Sequence, residues 1–319
     1  LMGSDTTSFN SFQSGGYGSV SGIQLRGLPK RYSTVFIDGV KQSDPSSVSG
    51  DFDFSHILKN QISRAEVLKG NQSSVYGSGA IGGAINIVTK RGQPGFQKNI
   101  NYNTASHGTH NLALSMSGAD DKNDFYIGYE RFVTDGISAM DNNDEEDAYR
   151  NNTIVANYGY KFNDKLKIEN NARVAQGYLQ YDTLADKAAY LAEDTDEQRQ
   201  FELSGSASLI YKPSGQFTNR LIYSTYNIDR IYNTYDDGQD EYRGYRKALT
   251  YSGNYNFDLD SSIVFGLDTE FDEIDFNKGS SKTKTRKEGF ATNSYYVDYQ
   301  KRLAPNVYAT LGGRVDKHS

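Results

Sequence analysis

The sequence predicts a mainly β protein, an antiparallel transmembrane β-barrel preceded by a small mixed α/β domain. From residue 96 onward, apolar and polar residues alternate with a period of two, which places one set on each face of a strand. In 263–271 the odd positions carry Ile, Phe, Leu, Thr and Phe, and the even positions carry Val, Gly, Asp and Glu. The links between these segments alternate in length, and the chain is rich in Tyr and Gly. Together these features are typical of outer-membrane barrels.

Composition removes several other classes of protein. The 319 residues include 34 Lys and Arg against 40 Asp and Glu, and this net charge of -6 argues against a nucleic-acid partner. The absence of Cys excludes disulfides, thiolate metal sites and a cysteine nucleophile. No apolar run approaches the roughly 18 residues that a membrane helix needs. A soluble β-sandwich stays compatible with the composition alone.

The links between the alternating segments fall into two groups that take turns along the chain. Tight links are expected at 120–123, 163–164, 213–215, 258–261 and 304–306. Long, charged links are expected at 134–150, 182–197, 236–241 and 277–287. A barrel in the outer membrane has short periplasmic turns and long extracellular loops, whereas a soluble sandwich has no reason to segregate them.

Eleven alternating segments begin near residues 96, 110, 124, 151, 165, 197, 216, 240, 262, 288 and 306. Bacterial barrels close with an even number of strands, and open sheet edges are not tolerated in lipid. We therefore expect residues 96–319 to be the N-terminal half of a larger barrel, about 11 of roughly 22 strands. Residues 1–95 form the separate mixed domain.

In this first domain, short apolar runs alternate with Gly and Ser clusters. Val35–Ile37 is predicted to be a buried strand that ends in an Asp38-Gly39 turn. Residues 65–68 and 84–88 are predicted to be strands. Ser55 is a candidate N-cap for a short helix over 55–62.

Three stretches of this domain carry a family resemblance. They read IQLRGL at 23–28, VFIDGV at 35–40, and ISRAEVLKGNQSSVYGSGAIGGAINIVTKRG at 62–92. These stretches closely resemble the plug domain of TonB-dependent outer-membrane receptors, closest to the cobalamin and siderophore branch. Asn71 stands where the family usually has proline, and nothing matches the TonB box or the first part of the plug.

The resemblance implies a receptor in the bacterial outer membrane that imports a scarce, large ligand, either cobalamin or a ferric siderophore. It also implies TonB with its inner-membrane energising complex as the partner, contact with outer-membrane lipid, and no enzymatic activity or required cofactor. The alternative is a passive porin-like barrel or an adhesin, although a filled lumen conducts poorly.

The resemblance extends to the ligand site, because in cobalamin receptors the matching plug segments touch the ligand. The residues carried over in this way are Tyr17, Ser19, Val20, Val48 and Ser49. Both segments are rich in small polar residues, which suits a large amphipathic ligand. We expect them at the rim that bears the long links. Flexible turns without a ligand are the alternative.

Two further sets of charged residues are candidates. Arg26 and Arg64 are expected to contact carboxylates, because their domain must lie in a charged lumen. Six acidic residues of the long links are candidate calcium ligands, since hard oxygen donors suit that ion; they are Asp182, Asp186, Asp194, Asp196, Asp236 and Asp240. Cobalamin receptors order such loops with calcium, whereas solvated loops without metal are the alternative.

Overall fold

The computed structural model describes residues 9–13, 16–69, 73–137, 146–181, 196–234, 238–279 and 283–319. Mainly β structure, with a small N-terminal domain and one large antiparallel sheet, confirms the predicted fold class. None of the helices within these ranges is long and apolar enough to cross a membrane.

The described part of the N-terminal domain contains six strands and one α-helical turn. The strands are β1 (Phe9–Gln13), β2 (Ser21–Leu25), β3 (Ser33–Ile37), β4 (Val40–Lys41), β5 (Ile62–Lys69) and β6 (Gly83–Thr89), and the helical turn is α1 (Ser73–Tyr76). β1 and β2 form a hairpin, and the other four strands form a mixed sheet in the order β4-β3-β6-β5, in which β3 and β6 run parallel. Its apolar core consists of Leu25, Val35, Ile37, Phe52, Ile85 and Ile87.

The predicted turn at Asp38-Gly39 joins β3 to β4. Both residues have positive φ, 48° for Asp38 and 83° for Gly39. Two consecutive positive φ angles match the twist of a tight hairpin, and Asp-Gly adopts them at low cost. The Asp38 carboxylate also accepts hydrogen bonds from the backbone and hydroxyl of Thr89 at 3.0 and 2.5 Å. The turn is thereby fixed to the end of β6.

The helix expected over 55–62 is replaced by two 3-10 turns, Phe54–His56 and Lys59–Gln61. The first is capped by Asp53, whose carboxylate accepts from the Ser55 backbone, and not by Ser55 itself. Ile57 and Leu58 are extended between the turns. Ile57 packs on the apolar core of the domain, and this contact outweighs the weak local preference for one continuous helix.

The large sheet contains the eleven strands that the alternation predicts. They are β7 (Gly95–Ala105), β8 (Thr109–Ala119), β9 (Asn123–Thr134), β10 (Tyr149–Asn163), β11 (Leu166–Tyr181), β12 (Asp196–Tyr211), β13 (Phe217–Thr234), β14 (Gly238–Asn256), β15 (Ser261–Lys278), β16 (Thr283–Ala304) and β17 (Val307–His318). Each strand pairs with the next in antiparallel fashion, and β7 and β17 are the two edges.

Ten of the eleven strands begin within two residues of the predicted starts, and β16 is the exception. It begins at Thr283, five residues before the predicted start at 288. The charged run before 288 is typical of a loop, but its backbone continues to pair with β15, for example Phe276 with Arg286. β13 and β14 are likewise paired as far as Thr234 and Gly238, so most of the long link expected at 236–241 is strand.

The alternation separates two faces of the large sheet. In β15, Leu267 and Phe271 are exposed, whereas Asp272 is buried and Asp268 and Glu270 are half-buried. The polar face is turned toward the N-terminal domain. Side chains from β9, β10, β11, β13, β14, β15 and β16 all bond to that domain. The large sheet therefore wraps around the N-terminal domain and presents its apolar face outward.

Candidate functional site

Two turns of the N-terminal domain meet the large sheet at one rim. The first apex is residues 16–20, between β1 and β2. The ring of Tyr17 lies 4.9 Å from that of Phe132, near the end of β9. Gly18 has φ of 83° and lies so close to Tyr149, the first residue of β10, that a Cβ would overlap its ring. The link from β9 to β10 is one of the predicted long links, so this apex lies at the rim that bears them.

The second apex, residues 44–53, reaches the same rim on β13. The Asp44 carboxylate accepts from the backbone and hydroxyl of Ser46, both at 2.7 Å, and this closes the turn. Its other oxygen pairs with Arg230 at 2.8 Å, and Arg230 also donates to the Ser46 hydroxyl at 3.2 Å. Arg230 lies four residues before the end of β13. The apex is therefore held on the large sheet by a partly buried ion pair.

A cavity of about 200 Å³ lies between the two apices and the large sheet. We call it the apical cavity. Its lining is contributed jointly by the N-terminal domain and by strands β12 and β13; it consists of Val20, Lys30, Gln42, Asp44, Ser47, Ser49, Asp51, Phe52, Asp53, Gln198, Gln200, Glu202, Tyr226, Ile228, Arg230 and Tyr232. Mostly polar with a few apolar surfaces, this lining suits a ligand that is held by several hydrogen bonds.

Beneath the cavity lie three hydrogen-bonded, buried residues of the sheet, Arg173, Gln200 and Glu202, which we call the latch. Arg173 joins the latch to the N-terminal domain. Arg173 of β11 donates to Glu202 of β12 at 2.5 Å and to the backbone oxygen of His56 at 3.0 Å. Gln200 donates to the other oxygen of Glu202 at 2.5 Å. Because Gln200 and Glu202 also line the apical cavity, the cavity and the latch share side chains.

The His56 ring is packed between the N-terminal domain and β10. Tyr149 donates its only hydroxyl proton to the Ser55 backbone oxygen at 2.9 Å, so Nδ1 of His56, 3.1 Å from that hydroxyl, is the donor to it. Nε2 is buried without a hydrogen-bond partner. Burial lowers the pKa of His56, and the negative charges of Glu202 and Asp53 oppose that shift. His56 is therefore neutral at physiological pH.

Most of the remaining contacts between the N-terminal domain and the sheet are polar, although Val40 of β4 packs in a buried apolar cluster with Tyr226 and Ile228 of β13. Lys41 pairs with Glu270 of β15 at 3.0 Å. Arg246 of β14 pairs with Asp272 at 2.7 Å and donates to the Ser43 backbone oxygen at 2.9 Å. A second cavity, of about 760 Å³, opens beside this network. Outside the small Val40 cluster, the interface rests on hydrogen bonds and ion pairs that water can replace, so separation of the two parts would expose little apolar surface.

The five carried-over ligand residues occupy different positions around the apical cavity. Val20 and Ser49 line it. Tyr17 is 59% exposed and Val48 is fully exposed, so both project from the apices. Ser19 instead closes its own turn, donating to the Gly16 backbone oxygen at 2.7 Å. Two of the five thus line the cavity and two are exposed on the apices, and their contact with a ligand stays a prediction.

Of the two arginines expected to contact carboxylates, Arg64 has such a contact in the described part of the chain and Arg26 does not. Arg64 lies on β5 and pairs with Glu66 at 2.6 Å, and this pairing lowers the pKa of Glu66. Arg26 is not in a strand; it follows β2 in an exposed turn with φ of 56°. Among the described residues it has no carboxylate partner. The reason is that β2 ends at Leu25, which fills the core and turns the next side chain away from the interior.

Four of the six candidate calcium ligands, Asp182, Asp186, Asp194 and Asp236, lie outside the described residues. Asp196 is fully buried at the start of β12, and Asp240 accepts from the Gly279 backbone at 3.3 Å. In the described ranges, no three His, Cys, Asp or Glu side chains are grouped so as to hold a metal ion. Calcium binding stays a prediction.

Sequence reasoning missed the contribution of the sheet to this site. Gln198, Gln200 and Glu202 occupy alternate positions of β12 and all face the cavity. Their period-two spacing shows that they share a face. It does not show which strand lies beneath the apices, so no local signal singled them out.

Residues 2–84 match the TonB-dependent receptor plug domain family. Over 226 residues the chain is 30% identical to the vitamin B12 transporter BtuB of Photobacterium profundum, covering 62% of this chain and 37% of that protein. The structure resembles the ferric enterobactin receptor PfeA of Pseudomonas aeruginosa with a TM-score of 0.75 and 16% identity, covering 97% of this chain and 53% of that one. It also resembles the copper transporter OprC with a TM-score of 0.78 and 16% identity, covering 98% of this chain and 50% of that one.

The chain thus spans about half the length of these solved structures, and less of the curated relative. At 16% identity the two structural likenesses establish a shared fold. The names of the three proteins refer to three chemically different cargoes, so the fold does not choose among ligands.

Proposed function

We propose that this chain belongs to the TonB-dependent receptors, proteins of the bacterial outer membrane, and that it serves active uptake of a scarce, large ligand. The N-terminal domain is the plug, and the large sheet is the barrel wall around it. The ligand would be cobalamin or a ferric siderophore, in keeping with the cargoes named for the relatives. TonB and its inner-membrane energising complex would be the partner.

The observation that carries this proposal is that the apical cavity and the latch have residues in common. A ligand resting on Ser49 and Gln200 would touch a side chain that donates to Glu202, which in turn holds Arg173 on the plug. Occupancy at the rim would therefore alter the bonds that keep the plug in place. A receptor that must report a bound ligand to the periplasm needs such a connection.

The mostly polar interface between plug and barrel supports the same function. A plug that is held by ion pairs and hydrogen bonds can be displaced by a pull and can return, because water compensates the broken bonds. No ATP is available in the outer membrane, so the work would come from TonB. A permanently fixed plug, as a passive barrel or an adhesin would use, gains more from an apolar interface.

Uptake measurements test this function. The intact receptor is expressed in a bacterial strain that lacks its own cobalamin and siderophore receptors, with and without TonB. We expect uptake of labelled cyanocobalamin or of a labelled ferric siderophore, and we expect it to stop without TonB. Uptake that persists without TonB, or swelling of receptor-containing liposomes in small sugars, would instead indicate a passive pore.

A variant of the second apex tests the ligand site. Val48 and Ser49 are both replaced by Arg, which should abolish ligand binding because bulky charged side chains would occupy the mouth of the cavity. Replacing the exposed Leu259, at the opposite rim, by Arg is the matched control and should leave binding unchanged. Undiminished affinity of the double variant would remove this apex from the site.

A further inference from the structure

We propose that the apical cavity selects an uncharged or cationic ligand rich in amide and hydroxyl groups, and that it rejects anionic metal chelates. This inference rests on the proposed function and specifies the ligand class of the same site. It narrows the cargoes that the proposed function leaves open, because it keeps cobalamin and uncharged ferric siderophores and excludes anionic ones.

The charges in the lining are the first reason. Four carboxylates, Asp44, Asp51, Asp53 and Glu202, face the cavity together with two cations, Lys30 and Arg230. Lys30 pairs with Asp51 at 2.8 Å, and Arg230 pairs with Asp44 at 2.8 Å. Both cations are thus neutralised by a carboxylate of the plug. An anionic ligand would have to break one of these pairs to gain a counter-charge.

The other two carboxylates are held by donors that a ligand cannot displace easily. Asp53 accepts from the backbones of Ser21 and Ser55 at 2.9 and 3.0 Å. Glu202 accepts from Arg173 and Gln200. Arg173 compensates Glu202 but does not line the cavity. The surface that a ligand meets is therefore negative.

The uncharged lining groups are the second and independent reason. Gln42 is completely buried, its Nε2 donates to the Val40 backbone oxygen at 3.0 Å, and its Oε1 has no partner. A buried amide oxygen without a donor costs free energy until a ligand supplies one. An amide or hydroxyl proton of the ligand would satisfy it, whereas a catecholate or carboxylate oxygen would not. Gln198, Gln200 and Tyr232 extend the same amide and hydroxyl surface.

The size of the expected discrimination follows from Coulomb's law. A unit negative charge about 8 Å from an uncompensated carboxylate, at an effective dielectric constant near 20, loses roughly 30-fold in affinity. A ferric tris-catecholate carries three negative charges. Discrimination of at least about 100-fold against such a chelate is expected even after partial screening by salt.

Binding to the purified intact receptor tests the inference with three probes. Cyanocobalamin and the ferric trihydroxamate ferrichrome are uncharged and amide-rich, and ferric enterobactin is a trianionic tris-catecholate. We expect at least one uncharged probe to bind at least 100-fold more tightly than the tris-catecholate. Any residual tris-catecholate binding should strengthen as salt is added, because salt screens repulsion.

Asp51→Asn removes the negative charge that pairs with Lys30 while keeping an oxygen that accepts from the Ser49 hydroxyl. We expect this variant to bind the tris-catecholate about 10-fold to 30-fold more tightly, so that the preference for the uncharged probes shrinks. The matched control is Asp164→Asn, which makes the same change to a Lys161–Asp164 pair at the opposite rim. It should alter none of the affinities.

Three results would overturn the inference: a tris-catecholate that binds as tightly as the uncharged probes, an Asp51→Asn variant indistinguishable from the control, or folded receptor that binds no probe. Its failure is separable from failure of the proposed function. TonB-dependent uptake of the tris-catecholate would refute the selectivity and leave the uptake function standing. Selective binding of an uncharged probe without TonB-dependent uptake would refute the uptake function and leave the selectivity standing.

Discussion

Replacing Arg173 by Met should weaken the docking of the plug more than the replacement of any exposed arginine. The variant keeps an unbranched apolar stem but lacks the guanidinium, and so it loses two bonds, one to buried Glu202 and one to the His56 backbone oxygen. The second bond joins barrel to plug. A hydrogen bond from a charged donor contributes about 1.5–3 kcal/mol. Asn151 also donates to the His56 oxygen, at 3.3 Å, so we expect the lower half of that range.

In this variant the carboxylate of Glu202 is left without its cation, which adds to the loss of stability. Glu202 is 1% exposed, and removing one member of a buried ion pair typically costs about 3–5 kcal/mol. The Gln200 bond offsets part of that cost. The double variant Arg173→Met, Glu202→Gln removes the unpaired charge and should recover the stability lost to it. The loss of the bond to His56 should remain.

Native-state hydrogen exchange of the plug amides measures these changes. The Ile57 amide, which donates to the Phe54 oxygen at 3.0 Å, reports opening next to the latch. Arg199→Met is the control, because Arg199 is 60% exposed and pairs with Glu197 on the same strand as Glu202; it should cost less than about 1 kcal/mol. Protection of Ile57 in Arg173→Met within about 0.5 kcal/mol of the parent would refute the latch.

Two further predictions concern the pH dependence of plug docking and the packing of the first apex. Docking should weaken as the pH falls below about 6.5, by up to about 1.4 kcal/mol per pH unit, because undocked His56 takes up a proton that the docked ring, with its lowered pKa, does not. Thermal melts of the parent and His56→Gln at pH 5 and 7 check this, and equal pH dependence would contradict it. Gly18→Ala should destabilise the plug by at least about 1 kcal/mol more than Gly27→Ala. Both glycines have positive φ, but only at Gly18 does a Cβ meet a ring, that of Tyr149; equal melting temperatures would rule out this packing.

The positions of the strands were predictable because they follow from local patterns. Alternation with a period of two places Leu267 and Phe271 outward and Glu270 inward whatever lies inside the barrel. The Asp38-Gly39 turn was predictable for the same reason, since its two positive φ angles depend on those residues alone. Where a tertiary contact competes with local preference, as at Ile57, the sequence predicted one helix and the fold adopts two 3-10 turns.

By itself, the sequence determined the strand pattern, the inward and outward faces, and the two plug segments that reach the rim. Only the tertiary structure decided which barrel residues meet those segments. Glu202 lies about 150 residues from Asp51 and Asp53, and nothing in the spacing of either segment refers to the other. Their proximity depends on the angle at which the plug is seated in the barrel. That angle is set by many distant contacts such as those of Lys41, Arg173 and Arg230, and no stretch of sequence contains it.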